Sequence, residues 1–342
     1  MKDENTKAFP SGTVRSESFL DGFRRQTEEM LLSRYEAQSG GFRSAPEHGP
    51  SIMGTTDAVW LRYAVNDPDL GAPDRDAVIR YMQGAQAPST GMVAHAWWDG
   101  HCTGHAFWQT VRALKILGTD LAHFPAHLSP MCSSAGLDAW FAGFDWNSSA
   151  GSRPGNHHEV LGLVPVVVSL RDNELTETFF RNLAKQQDPR MGTWPHGRTG
   201  ISRTFAYTAL HLSADRLPAM PEKIVDEFLR LQEDSGLWER DLPGFGTMDC
   251  AYVLVRLPKR IGYREAAAAA ALGRLSVAMR SVYAAQQARI LCRTHHALAV
   301  THTFGLLQEA FPDEYPSQRP YRFDWDRTSL YDSQTIRDGI GG

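Results

Sequence analysis

The sequence predicts an all-α protein made of six helix-pair repeats, and three observations carry that expectation. Glycine-plus-hydrophobic corners recur at Gly41-Phe42, Gly91-Met92, Gly143-Phe144, Gly192-Thr193-Trp194 and Gly236-Leu237-Trp238, with glycines 50, 52, 49 and 44 residues apart. A period in this range marks a repeat architecture whose units are too short to bury a core alone, so they must stack or close on themselves. Beyond each corner an apolar stretch at helical spacing begins behind a polar opening, whereas the period-two alternation of strands is nearly absent.

Taken in order, residues 1–17 lack apolar periodicity and are expected to be disordered. Ser18–Gln38 reads as a helix with Phe19, Phe23, Met30, Leu31 and Tyr35 on one face. Each repeat then adds an inner and an outer helix. Inner helices are predicted at Thr55–Val65, Thr103–Leu117, Asn156–Leu170, Ser202–Leu212, Thr247–Leu257 and Thr294–Ala310. Outer helices are predicted at Asp74–Ala85, Pro130–Gly143, Glu174–Gln187, Pro221–Leu231 and Tyr263–Gln287. The last contains an alanine run, a strong helix former. The sixth repeat lacks its glycine corner but keeps Gln286-Gln287 where the fourth has Gln186-Gln187. Residues 18–312 are therefore expected to form one domain. The aromatic tail, 313–342, is expected to be irregular and to pack on the surface of that domain.

The inner-helix openings align. They read Thr55-Thr56-Asp57, Thr103-Gly104-His105, Asn156-His157-His158, Ser202-Arg203-Thr204, Thr247-Met248-Asp249 and Thr294-His295-His296. Thr, Ser and Asn are good N-caps, because a side-chain oxygen accepts from a free helical N–H. If the six helices run parallel around a ring, the Asp, His and Arg side chains just inside the caps converge at one mouth.

Composition excludes several classes. A net charge of −4 offers no basic face for nucleic acid. The longest apolar run, Val160–Leu170, is too short to span a bilayer. The polar N-terminus lacks an export signal, so a cytoplasmic location is expected. Four scattered cysteines form no CxxC pair and suggest neither a disulfide scaffold nor a zinc finger.

The segments Gln38-Ser39-Gly40-Gly41-Phe42, Gln187 with Gly192-Thr193-Trp194, and Gln232 with Gly236-Leu237-Trp238 resemble the corners of (α/α)6 toroids. These include terpenoid cyclases, protein prenyltransferase β subunits and several polysaccharide lyases. The resemblance covers roughly residues 30–312. It implies a closed ring of six inner and six outer helices, but the fold hosts several chemistries.

Among those chemistries, β-elimination of an acidic sugar is favoured. Gly192-Thr-Trp-Pro-His196-Gly-Arg198 with Tyr207 is similar to the Gly-Ser-Phe-x-Gln-His…Tyr segment of toroid lyases acting on uronate polymers, and Asn156-His157 is similar to their Asn-His element. The resemblance implies that Asn156 neutralises the carboxylate, that His196 is the base and that Tyr207 is base or acid, with His157 and Arg203 beside them. Pro195 stands where glutamine is expected, and these lyases usually carry a β domain for which this chain has no room. Expected substrate contacts are Asp57, His105, His158, Arg153, Arg198, Asp249, His295 and His296, with Trp98 and Trp194 stacking on sugar rings. The expected partner is thus a small or oligomeric acidic carbohydrate, with no nucleic acid and no membrane.

Three other readings stay open. Hydrolysis needs two carboxylates, available from Asp57, Asp99, Asp145, Glu159 and Asp249. Isoprenoid chemistry is poorly supplied, since there is no Asp-x-Asp-Asp run. The prenyltransferase-like Asp249-Cys250 are adjacent, about 100° apart around a helix. A binding scaffold without catalysis would have no use for so many histidines at one end. No cofactor is required, although Asp249 and His296 suit a divalent ion, zinc or calcium.

Overall fold

The computed structural model describes residues 17–68, 74–94, 103–146, 157–194 and 200–341. The expected N-terminal segment therefore lies outside the described residues, apart from Glu17. The protein is all-α. Its helices are α1 (Phe19–Arg34), α2 (Ile52–Ala64), α3 (Arg75–Gly84), α4 (Thr103–Ile116), α5 (Ser134–Ala142), α6 (His157–Leu170), α7 (Asn173–Lys185), α8 (Gly200–Ser213), α9 (Pro221–Arg230), α10 (Phe245–Ile261), α11 (Glu265–Ile290), α12 (Thr294–Ala310) and α13 (Gln334–Gly341). Among the described residues, no helix is long and apolar enough to cross a membrane.

α1 ends four residues before the predicted boundary because pairing replaces it. Tyr35–Glu36 (β1), Gly41–Arg43 (β2) and Pro50–Ser51 (β3) form a small antiparallel sheet in the order β1-β2-β3, with Tyr35 opposite Phe42 and Phe42 opposite Ser51. α11 contains a break at Gln286 (φ −132°, ψ 24°), the position of the degenerate sixth corner.

The even-numbered helices from α2 to α12 share one chain of contacts. α2 packs on α4, α4 on α6, α6 on α8, α8 on α10, α10 on α12, and α12 back on α2. A close approach joins α4 to α6 through two glycines. A Cβ on Gly162 would lie 2.9 Å from the Gly104 Cα, and a Cβ on Gly104 would lie 2.7 Å from the Glu159 Cα. Larger residues there would push the two helices apart.

Two bonds recur at several of the corners. Gln86, Gln187 and Gln232 each donate an amide hydrogen to the carbonyl of the corner glycine that follows, Gly91, Gly192 or Gly236. All three glycines have positive φ (65°, 73° and 86°), a conformation that costs glycine little and side-chain-bearing residues more. The corner then ties itself to the next even-numbered helix. Phe42 N donates to Thr55 Oγ1, Trp194 N to Thr204 Oγ1 and Trp238 N to Thr247 Oγ1, at 2.9, 3.1 and 3.5 Å.

This corrects the expected caps. α2 begins at Ile52 with Ser51 as its N-cap, and α10 begins at Phe245 behind Gly244. Thr55 and Thr247 lie one turn inside, where their hydroxyls serve the preceding corner.

The tail is not merely a surface wrap. Tyr321, Phe323, Trp325, Leu330, Tyr331 and Ile336 are buried, and α13 packs on α6. The Trp325 ring lies 5.1 Å from Trp108, 5.3 Å from Phe205, 6.0 Å from His302 and 6.2 Å from Trp60. One side chain thus touches α2, α4, α8 and α12. Beside it the buried Arg112 guanidinium sits 3.8 Å over Trp60 and 4.7–4.9 Å over Trp108, Trp325 and Tyr331. Cation–π attraction is largest in such a desolvated setting.

Candidate functional site

At the other end, the N-terminal turns of the even-numbered helices bring polar side chains together. The Gly104–Gly162 crossing lets the His105 ring stack on His158, with centroids 4.1 Å apart at 22°. His158 in turn lies 3.9 Å from His157, and His105 meets His295 edge-on at 5.9 Å. Four imidazoles from α4, α6 and α12 therefore form one contiguous cluster.

Asp57 of α2 anchors the cluster. Its carboxylate accepts from Thr294 Oγ1 at 3.2 Å and faces His295 Nδ1 at 3.2 Å from both oxygens. The Asp57 side chain is only 1% exposed, whereas that of His295 is 30% exposed. A carboxylate opposite Nδ1 favours the tautomer that carries its proton on that nitrogen. Phe245 of α10 packs its ring 4.4 Å from the same imidazole, fixing its tilt.

Arg203, on the first turn of α8, is buried and donates to the Trp146 carbonyl at 2.8 Å. Loss of water around His157, with the Arg203 charge nearby, pushes that imidazole down to about 3, so it is neutral at physiological pH. Glu159 brings an oxygen to 3.5 Å from Gly104 N at the start of α4.

Asp249 is also buried, at 1% exposure. The Ser202 hydroxyl hydrogen-bonds to it, while burial first, and Glu239 second, push its carboxyl well above the usual carboxylate range. Among the described residues its Oδ2 has no hydrogen-bond partner. Glu239 is held by the Gly244 and Thr247 backbone N–H groups at 2.6 and 2.9 Å, a carboxylate at a helix start.

Other expected site residues fall elsewhere. Trp194 is fully buried, and its indole N–H donates to the Leu183 carbonyl at 2.6 Å, as Trp238 does to Phe228 at 2.7 Å. It is a corner residue of the core, and its proposed sugar stacking is corrected. Tyr207 is equally buried, edge-on to Trp194 at 5.5 Å, and its hydroxyl lacks a partner among the described residues. Burial pushes its phenol up, so a proton-transfer role is not carried by this placement.

In the expected metal pair, Asp249 and His296, one ring nitrogen of the histidine is engaged. His296 Nε2 lies 2.7 Å from the Pro243 carbonyl, so that nitrogen donates a proton and offers no lone pair to an ion. Among the described residues, no three His, Cys, Asp or Glu side chains are placed to hold a metal. Trp98, Arg153, Asn156, His196 and Arg198 lie outside the described residues.

Sequence reasoning missed Phe245 and Glu239 as parts of this end. Glu239 follows the Trp238 corner directly and precedes the α10 start, which was the available signal. Comparison with known proteins finds no family model that matches the chain, and no curated protein or solved structure that resembles it.

Proposed function

We propose that the chain is an (α/α)6 toroid enzyme that cleaves an acidic, uronate-containing glycan or glycoside by β-elimination. The cyclic order of contacts from α2 through α12 and back supports the ring. The observation that carries the chemistry is His295, oriented by Asp57 and set among His105, His157 and His158 at the helix N-termini. Elimination begins with removal of the proton beside the uronate carboxylate, and His295 Nε2 is the base for that step. Arg203 and the helix N-termini favour a negative ligand there. Asn156, His196, Arg153 and Arg198 belong to this reading through the lyase resemblance.

The isoprenoid reading loses ground on packing. A carbocation needs a dry aromatic chamber, and the aromatic end of the even-numbered helices is filled by the chain's own Phe323, Trp325 and Tyr331.

The test is incubation with uronate-containing glycans and glycosides, following ultraviolet absorbance of the unsaturated uronate. Absorbance should grow with the wild type and fall at least ~100-fold with His295→Ala, the scale of a positioned base. New reducing ends without absorbance would favour hydrolysis. No action on any acidic glycan would remove the reading.

A further inference from the structure

Far from the mouth, α11 opens with an alanine run whose short side chains leave the angle between helices unfilled. A groove of about 310 Å³ is lined there by Leu254 and Val255 of α10, Ala269 and Leu272 of α11, and Phe311 just after α12. Lys259 and Glu265, both exposed, flank it. Ala269 is exposed and Phe311 half-buried, so apolar surface faces solvent. A contiguous apolar concavity rimmed by charge marks a docking surface, which a single exposed side chain would not. We propose that the groove is the docking site of the chain's own segment Ala8-Phe9-Pro10.

Reach comes first. The described chain starts at Glu17, and the Phe19 ring packs on Tyr283 of α11 and on Tyr315, at centroid distances of 5.8 and 6.4 Å. The Arg280 guanidinium lies 5.6 Å over the same ring. Tyr315 N donates back to the carbonyl of Phe311, a groove residue, at 3.2 Å. α1 thus enters the fold beside the groove. Along α11, Arg280 and Ala269 are eleven residues apart, a rise of about 16 Å. Phe9 and Glu17 are eight residues apart, and an extended chain of that length spans about 26 Å. Phe9 reaches Ala269 with slack.

Chemistry comes second. Before Glu17, Phe9 is the sole aromatic residue and Ala8-Phe9-Pro10 the longest apolar run. Pro10 disfavours helical backbone at Phe9, which suits an extended segment laid in a groove. Burying one aromatic ring against Leu254, Leu272 and Phe311 supplies the driving force.

The charges run in the same direction. With Phe9 over Ala269, Lys7 lies about 7 Å further on. Glu265 lies four residues further along α11, a rise of about 6 Å. Lys7 therefore meets Glu265, and the acidic Asp3 and Glu4 beyond it fall toward Lys259. The reverse direction would carry Phe9 away from the groove and leave both rim charges unanswered.

A lysine-specific protease acting on the intact chain tests the docking. The Lys7–Ala8 bond lies in the docked segment, and its cleavage tracks the fraction of chains in which that segment is undocked. Ala269→Arg fills the groove from an exposed helix position where arginine is a good helix former. Phe9→Ser removes the occupant and leaves the folded body untouched. Relative to the rate on the urea-unfolded chain, each substitution should speed cleavage at Lys7 at least ~10-fold over the wild type. The double variant should be no faster than the faster single one, because both remove one contact. Equal relative rates in the wild type and Phe9→Ser would overturn the docking, as would effects of the two substitutions that multiply. Protection that grows with protein concentration would assign the groove to a second copy of the chain and overturn the intramolecular occupant.

Discussion

α12 carries two histidines seven residues apart that do opposite things. His295, at the helix start, is 30% exposed, oriented by Asp57 and surrounded by other imidazoles. His302, two turns on, is 1% exposed, accepts from the Trp325 indole at 3.3 Å and packs against Phe323 and Trp60. The same contrast holds around the even-numbered helices. Their N-terminal turns present Asp57, His105, His157, His158, Arg203 and Asp249, while further along lie Trp60, Trp108, Phe205 and Tyr252, closed over by the C-terminal segment. A polar residue on this frame is chemical or structural according to its height along the helix, more than its type.

The largest effect should come from the packed end. Trp325→Ala removes a ring that touches four helices and leaves Arg112 without one wall of its cage. A loss of roughly 3–5 kcal/mol in unfolding free energy is expected, the range for a buried aromatic truncated to alanine. Urea denaturation measures it, and a loss below about 1 kcal/mol would mean that the segment is dispensable packing.

His295→Ala should produce the mirror image. Turnover falls at least ~100-fold, whereas stability falls by only about 1–3 kcal/mol, the cost of taking one of two donors from the buried Asp57 carboxylate. Activity and unfolding measured on one preparation test both halves. A variant that unfolds easily yet retains its turnover would erase the contrast.

The buried histidines also predict the direction of acid sensitivity. Burial first, and Arg112 second, push His302 down to about 3. The unfolded chain binds that proton near the ordinary value of about 6.5. Between these values the unfolded state holds more protons, so stability is complete above about pH 6.5 and falls as pH drops toward 3. At pH 5 the loss from His302 is on the order of 2 kcal/mol. His302→Gln should therefore show a smaller drop in thermal midpoint between pH 7 and pH 5 than the wild type does. Identical drops would place the acid sensitivity elsewhere, in His157 or in His211, which burial pushes down to about 4.

The smallest effect concerns Trp194. Trp194→Phe deletes the bond to the Leu183 carbonyl while keeping most of the ring, at a cost of about 1–2 kcal/mol. KM for any glycan should not move. A raised KM would return Trp194 to the binding surface.

Much of the fold was legible because its signals are local. Helical periodicity and the glycine corners placed the even-numbered helix starts at 55, 103, 156, 202, 247 and 294, against observed starts at Ile52, Thr103, His157, Gly200, Phe245 and Thr294. The α2 start was misplaced because Ser51, not Thr55, supplies the cap. A common mouth for Asp57, His105, His158 and a histidine of α12 was expected from register, with His296 rather than His295 at the aligned position. The division of labour among them was not, because the Asp57–His295 contact joins residues 238 positions apart. The burial of Trp194 and Tyr207 was equally hidden, since an aromatic residue at a loop corner reads the same whether it faces a ligand or a neighbouring helix.

What the chain determines by itself is periodic: helices about every 25 residues, corners wherever a positive φ calls for glycine, and polar openings in register. These follow from backbone geometry and side-chain spacing, which act over a few residues. Tertiary structure alone decided that the aromatic tail enters among the helices, that Arg112 lies caged between Trp60 and Trp325, and that two aspartates equally placed in their repeats have different surroundings. The physical reason is that solvent exclusion and charge environment are set by whatever packs across from a residue. No spacing along the chain encodes that neighbour.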